Sequence, residues 1–227
     1  MARDSGQIPI PLDHRPQLGR DDFLVSGSNR VAFELIDRWP DWPARILLLI
    51  GPPGSGKSHL ANIWKEKSGA QDVSLTAGLA EMGSVAALIE DVDSGLIDET
   101  ALFHLINAIV ESDRQLLITS RTPINDWGIG LPDLRSRLRL ATAVNLESPD
   151  DILLRQVLVK LFSDRQLLVD KTVIDYLLKR MERSLDAARR LVDAIDREAL
   201  VENRRISRNL AARVFERLGE SPAGLDF

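Results

Sequence analysis

The sequence predicts an α/β fold, a parallel sheet flanked by helices, followed by a small all-helical domain. Three observations lead there. Short apolar runs alternate with amphipathic, helix-length stretches over the first part of the chain, the pattern of strands joined by helical crossovers. One of those runs, RILLLIG at 45–51, is apolar almost throughout and stops at a glycine, as a parallel strand buried on both faces does. Beyond residue 147 the strand signals cease and helical periodicity alone continues.

Residues 1–21 read as a polar, proline-containing tail. Within it, QIPIPLDH at 7–14 alternates Ile8, Ile10 and Leu12 like a strand, yet Pro9 and Pro11 lack the amide hydrogens that a central strand donates. The segment favours an extended, polyproline-like form and leaves its aliphatic side chains in need of a surface, the protein's own or a partner's. NRVAFELIDRW (29–39) spaces its apolar residues as a helix does and is stopped by Pro40 and Pro43. After the strand at 45–51 come a helix at 58–67, a strand at 72–77, and a third strand at 85–93 that ends in acids. DETALFHLINAIVES (98–112) is an amphipathic helix with an aspartate at its start, followed by strands at 115–120 and 142–146. The chain thus divides into a tail at 1–21, an α/β domain at 22–147 and a helical domain at 148–227. In the last of these, SPDD (148–151) supplies a cap with proline in the first turn. Helices follow at 149–163, 170–182, 185–202 and 207–218, with Asp170, Ser184 and Ser207 as caps.

At 227 residues and 44% hydrophobic, the chain can bury a sizeable core. It has no cysteine, which excludes disulfides and thiolate metal sites and fits a reducing compartment. His14, His59 and His104 are too scattered in sequence to form a metal cluster. Neither a membrane-length apolar stretch nor a signal-peptide core is present, so a cytoplasmic location is expected. The net charge of −5 is uneven, −7 over residues 1–150 and +2 over 151–227. That balance argues against strong direct DNA binding.

GPPGSGKS at 51–58 satisfies G-x-x-x-x-G-K-[ST] between a buried strand and a helix. Gly54 and Gly56 allow a tight loop whose amides point at phosphate oxygens, with Pro53, Ser55 and His59 alongside. Lys57 neutralises the β/γ-phosphates and Ser58 holds Mg²⁺. The cofactor is therefore ADP or ATP with Mg²⁺. Such a loop needs an acid on a neighbouring strand, and ALIEDVD supplies Glu90, Asp91 and Asp93. Strand alternation sends Glu90 and Asp91 to opposite faces, so one of them faces the phosphates; Glu90 is assigned to the metal and Asp91 to catalysis. Ser120, ending QLLITS, lies within reach of the attacking water or the γ-phosphate in this reading. LPDLRSRLRL (131–140) carries Arg135, Arg137 and Arg139, either as surface solvation or as a finger aimed at a neighbouring subunit's phosphate, so homo-oligomers are compatible with the sequence.

GPPGSGKSHLA, LFHLINAI, QLLITSRTP and LRSRL before SPDDILLRQVL occur in the order found in the AAA+ family. Over about residues 22–220 the chain resembles the DnaA-related branch of that family. The resemblance implies a P-loop AAA+ parallel sheet followed by a helical lid. It implies that Phe23, Leu24, Val25 and Asn29 lie along the adenine pocket, that Arg137 is the arginine finger, and that the start of SLDAARRL reaches the nucleotide, with Asp186 near the position of the lid arginine. Three departures accompany it. DnaA initiators carry a DNA-binding domain after the lid, where this chain ends, and a single-stranded-DNA motif between the second and third strands, where only 77–84 is left here. The acids read Glu90–Asp91 rather than two aspartates, and Arg121 stands where an acid is common, so nucleotide binding with weak or no intrinsic hydrolysis is expected. A DnaA-related core headed by a Gln-led aliphatic peptide is similar to regulatory members of the branch, whose peptide docks on the replication sliding clamp. Gln7, Ile8, Ile10 and Leu12 match that peptide. The resemblance implies two partners, the clamp and DnaA, whose ATP hydrolysis Arg137 would stimulate in trans. The alternative is an active ATPase that loads helicase or remodels DNA through its own Asp91. A small-molecule phosphotransferase lacks any second substrate constellation.

Overall fold

The computed structural model describes residues 18–74, 86–202 and 204–219. Among these residues five strands, β1 (Ile46–Ile50), β2 (Gln71–Asp72), β3 (Ala86–Ile89), β4 (Gln115–Ser120) and β5 (Thr142–Asn145), form one sheet in the order β2-β3-β4-β1-β5. Every pairing is parallel. Among the described residues, four α-helices accompany the sheet: α1 (Arg30–Asp37), α2 (Lys57–Ser68), α3 (Glu99–Glu111) and α4 (Pro132–Leu138).

Alternation explains why β1 is apolar at every position. Leu47 and Leu49 pack with Ile36, Leu60 and Trp64, the side of α1 and α2, while Leu48 and Ile50 pack with Leu102, Ile106 and Leu134, the side of α3 and α4. A strand covered on both faces has no solvent side on which to place a polar residue. Trp42 stacks on Trp64 at 5.1 Å and donates its indole N–H to the Leu35 carbonyl at 2.8 Å, closing the first layer below the stop imposed by Pro40 and Pro43.

The register brings the carboxyl ends of β1, β4 and β5 level, with Ile50 opposite both Ser120 and Asn145. The chain leaves β1 through a narrow gap. A side chain at Gly51 would place its Cβ 2.6 Å from the Leu146 carbonyl oxygen, which no larger residue accommodates.

The second strand is shorter than its sequence reading, Gln71–Asp72, and residues 75–77 of that reading lie outside the described residues. The third strand also stops early, at Ile89, because Asp91 takes a left-handed φ of 47°. Strand alternation therefore does not govern Glu90 and Asp91, and the inference that it turns them to opposite faces fails for that reason.

From Asp151 the chain forms a separate compact unit, with four helices among the described residues. These are α5 (Asp151–Asp164), α6 (Lys171–Leu178), α7 (Leu185–Glu202) and α8 (Arg208–Leu218). Ser184 and Ser207 cap as expected, accepting from the amides of Ala187 and Leu210 at 3.3 Å each. Asp170 occupies the N-cap of α6 without a side-chain capping bond. No helix among the described residues is long and apolar enough to cross a membrane.

Candidate nucleotide-binding site

The glycine-rich loop runs from β1 into α2. Gly54 and Gly56 hold φ of 71° and 103°, values that favour glycine and suit the tight, anion-cradling kind of loop expected here. The loop is fastened to the neighbouring strands: the Gly51 amide donates to the Ser120 carbonyl at 3.1 Å, and the Leu146 amide donates to the Ile50 carbonyl at 2.7 Å. Lys57, buried at the first turn of α2, donates its ammonium to the carbonyls of Gly51 at 2.7 Å and Pro52 at 3.1 Å. Its charge is thereby held inside the loop.

Ser55 shows that the loop suits a polyphosphate. Its Oγ is buried and has no hydrogen-bond partner among the described residues, an arrangement that costs free energy unless an acceptor or donor enters the loop. With the Lys57 ammonium and the α2 N-terminus, that hydroxyl makes a set of donors for phosphate oxygens. The Ser58 hydroxyl is exposed on the first turn of α2. A single hydroxyl suits Mg²⁺, which keeps several waters and takes its other ligands from phosphates. Pro53 is exposed at the loop's tip.

The residues expected along the adenine pocket come together ahead of α1. Asn29 is buried and braces the segment from both sides, its Oδ1 accepting from the Ser26 amide at 2.8 Å and its Nδ2 donating to the Leu24 carbonyl at 2.9 Å. Phe23 stacks on Phe33 at 5.4 Å and meets the edge of His59 at 5.0 Å. His59 Nε2 donates to the Gly19 carbonyl at 2.9 Å. The phosphate loop's helix and the 19–29 segment are therefore joined through one imidazole, while Val25 stays 41% exposed.

On the other side of β1, the turns after β3 and β4 are stitched together. The amides of Asp91 and Val92 donate to Thr119, to its Oγ1 at 2.8 Å and its carbonyl at 3.0 Å. The Asp93 carboxylate accepts from the Arg121 amide at 3.0 Å, the Thr122 amide at 2.8 Å and the Thr122 hydroxyl at 2.7 Å. Partial burial would raise the Asp93 carboxyl, but these hydrogen bonds outweigh it and hold the group below the ordinary carboxylate range. Arg121 lies 3.4 Å from Asp91, so the expected catalytic acid has a cation beside it. Glu90 is exposed. Ser120 is fully buried and donates to the Thr122 carbonyl at 2.9 Å, which commits its proton to its own turn.

Arg137 lies in the last turn of α4. Arg135 is tied back to the Ile129 carbonyl, whereas the Arg137 side chain is exposed and its guanidinium makes no hydrogen bond or ion pair among the described residues. Glu99, at the first position of α3, accepts from the amides of Gly130 at 2.9 Å and Leu131 at 2.6 Å and so fixes the start of α4. Those two amides lower the Glu99 carboxyl. Neither Glu99 nor Asp93 stands out from the sequence as a support, because each acts on amides some thirty residues away. Asp186 is exposed on the first turn of α7 in the helical unit and pairs with Arg189 at 3.0 Å. Gln7, Ile8, Ile10 and Leu12 lie outside the described residues.

No protein-family model matches the chain. Among solved structures it is similar to domain III of the replication initiation protein DnaA from Thermotoga maritima, with TM-score 0.75 and 18% identity over 89% of this chain and 97% of that one. It is similar to AMPPCP-bound DnaA from Aquifex aeolicus, with TM-score 0.70 and 18% identity over 91% and 71% of the two chains. A variant of RuvB from Thermotoga maritima gives TM-score 0.68 and 18% identity over 90% and 72%. The chain has the AAA+ fold, in the form seen in DnaA domain III and RuvB.

Proposed function

We propose that the chain is a nucleotide-binding regulator of replication initiation similar to Hda, the regulatory inactivator of DnaA. It holds ADP in the 51–58 loop, docks on the sliding clamp through Gln7, Ile8, Ile10 and Leu12, and presents Arg137 to ATP-bound DnaA. The observation that carries the reading is Arg137 itself, an exposed guanidinium with no hydrogen-bond or ion-pair partner on a short helix whose start is pinned by Glu99. An arginine supplied across an interface stabilises the charge that develops on a transferring phosphoryl group and is worth ~10³–10⁵ in rate. Leu140, 73% exposed two residues past α4, offers an apolar contact close to Arg137 in the chain. Arg121 beside Asp91 disfavours the alternative of an active ATPase working on its own nucleotide.

The test is reconstitution with clamp, DNA and DnaA loaded with radiolabelled ATP. The expected result is conversion of DnaA-bound ATP to ADP only when this protein is added, and its loss by on the order of 10³-fold in Arg137→Ala. With ADP at about a hundred times its Kd, the melting temperature should rise by roughly 5–10 °C. Lys57→Ala should remove that rise, while Arg137→Ala keeps it. Unchanged stimulation by Arg137→Ala overturns the trans-finger role. Rapid ATP turnover by the protein alone moves the reading to an ATPase.

A further inference from the structure

The helical unit carries a cationic face that neither the phosphate loop nor Arg137 involves. Its centre is Tyr176 on α6, half-buried and set edge-on to Phe215 of α8 at 6.1 Å. Two guanidinium groups lie over this one ring, Arg180 at 4.2 Å and Arg208 at 5.2 Å from its centroid. Lys179 precedes Arg180, and Arg205 lies three residues before Arg208 in the non-helical segment that leads into α8; both are exposed. None of these four cations forms an ion pair among the described residues. The acids on the adjoining elements are engaged elsewhere: Asp175 with Arg155 at 2.6 Å, Glu202 with Arg213 at 2.6 Å, and Glu182 with Arg190 at 3.8 Å.

Each ring contact is favourable by itself, but the arrangement gathers like charges. Two guanidinium groups share one ring, and Arg208 opens α8, where the helix dipole disfavours a cation. Lys179 and Arg180 follow the C-terminus of α6, where the dipole suits them, so the strain is concentrated at the α8 side. A polyanion removes both penalties at once. We propose that this end of the helical unit, with Arg180 and Arg208 over Tyr176 and the exposed Lys179 and Arg205 close to them in the chain, binds the phosphate backbone of DNA. Arginine forks take phosphate oxygens in pairs, and the tyrosine restricts two of them before binding, which reduces the ordering cost. An acidic protein surface would call for a shaped apolar anchor, whereas here Arg180 and Arg208 converge on a single tyrosine. The chain's net charge of −5 keeps the interaction modest and strongly salt-dependent, with a Kd on the order of micromolar at low salt.

Fluorescence anisotropy of the full chain with a labelled DNA duplex and the matching single strand, read across a salt series, tests this. The wild type should bind, with log K falling linearly in log salt. Arg180→Glu with Arg208→Glu should weaken binding at least about tenfold and reduce the salt slope by about two. Lys179→Glu with Arg205→Glu leaves both arginines on Tyr176 and should weaken binding comparably, which separates loss of the surface from loss of the fold. Arg38→Glu with Arg114→Glu, the same change in net charge on the α/β unit, should weaken binding far less. The ADP-induced thermal shift should persist in all three variants, so a failed phosphate loop is distinguished from a failed surface. Absence of DNA binding by the wild type, equal loss in the Arg38/Arg114 pair, or equally tight binding of polyglutamate overturns the proposal.

Discussion

At the scale of single residues, Asp93 matters more than its place in an acidic cluster implies. One carboxylate satisfies two backbone amides and a hydroxyl at the tip of β4, and thereby ties the turn that carries Asp91 to the turn that carries Arg121. Asparagine would keep one acceptor oxygen and set an NH₂ group against amide donors. Asp93→Asn should therefore lose about 1–2 kcal/mol of stability in urea unfolding at neutral pH, discounted for water access to the carboxylate. The pH dependence follows from the lowered folded-state pKa. Stabilisation by Asp93 is fully present above the ordinary carboxylate pKa and is lost as pH falls through the lower folded value. The gap between wild type and Asp93→Asn should accordingly close in acid. A gap that stays constant as pH falls assigns the loss to packing instead.

At the scale of elements, α4 is a short helix that packs on α3 and is held at its start by α3's first residue. Asp98 caps α3 by accepting from the Ala101 amide at 2.9 Å, and Glu99 next to it reaches across to Gly130 and Leu131. Leu134 and Leu138 bury one face of α4 against the sheet layer, while Arg137 at the flank of that face stays exposed. Glu99→Gln removes the charge that draws both amides, so α4 should sample more orientations. Maximal stimulation of partner hydrolysis should then fall severalfold, with the ADP-induced thermal shift unchanged. Stimulation equal to wild type would mean that packing of Leu134 and Leu138 alone positions the finger.

At the scale of the whole molecule, two compact units and the segment ahead of Leu18 divide the proposed work. Removing residues 1–12 should leave the melting temperature and its response to ADP unchanged and abolish clamp binding in a pull-down or surface-plasmon assay. Two aliphatic anchors contribute roughly 1.5–3 kcal/mol each before ordering costs, enough for modest affinity that a ring of repeated pockets would raise by avidity. A large drop in melting temperature with clamp binding retained would show that QIPIPL packs on the protein itself.

By itself the sequence determined what depends on local pattern. The all-apolar β1 and the succession of strand and helix signals gave a parallel α/β sheet, and GPPGSGKS gave the phosphate loop, because glycine spacing and a following helix are local requirements. The cessation of strand signals after residue 147 likewise anticipated the four helices that begin at Asp151. Tertiary structure decided what depends on pairs distant in the chain. Ser120 turns its hydroxyl into its own turn, Arg121 sits beside Asp91, and Glu99 and Asp93 grip amides on other loops. The left-handed turn at Asp91, which ended strand alternation early, belongs to the same group, since its amide is taken by Thr119 on the next strand. Hydrogen bonds of this kind are set by which strand ends the sheet order brings side by side, and no periodicity along one segment encodes them.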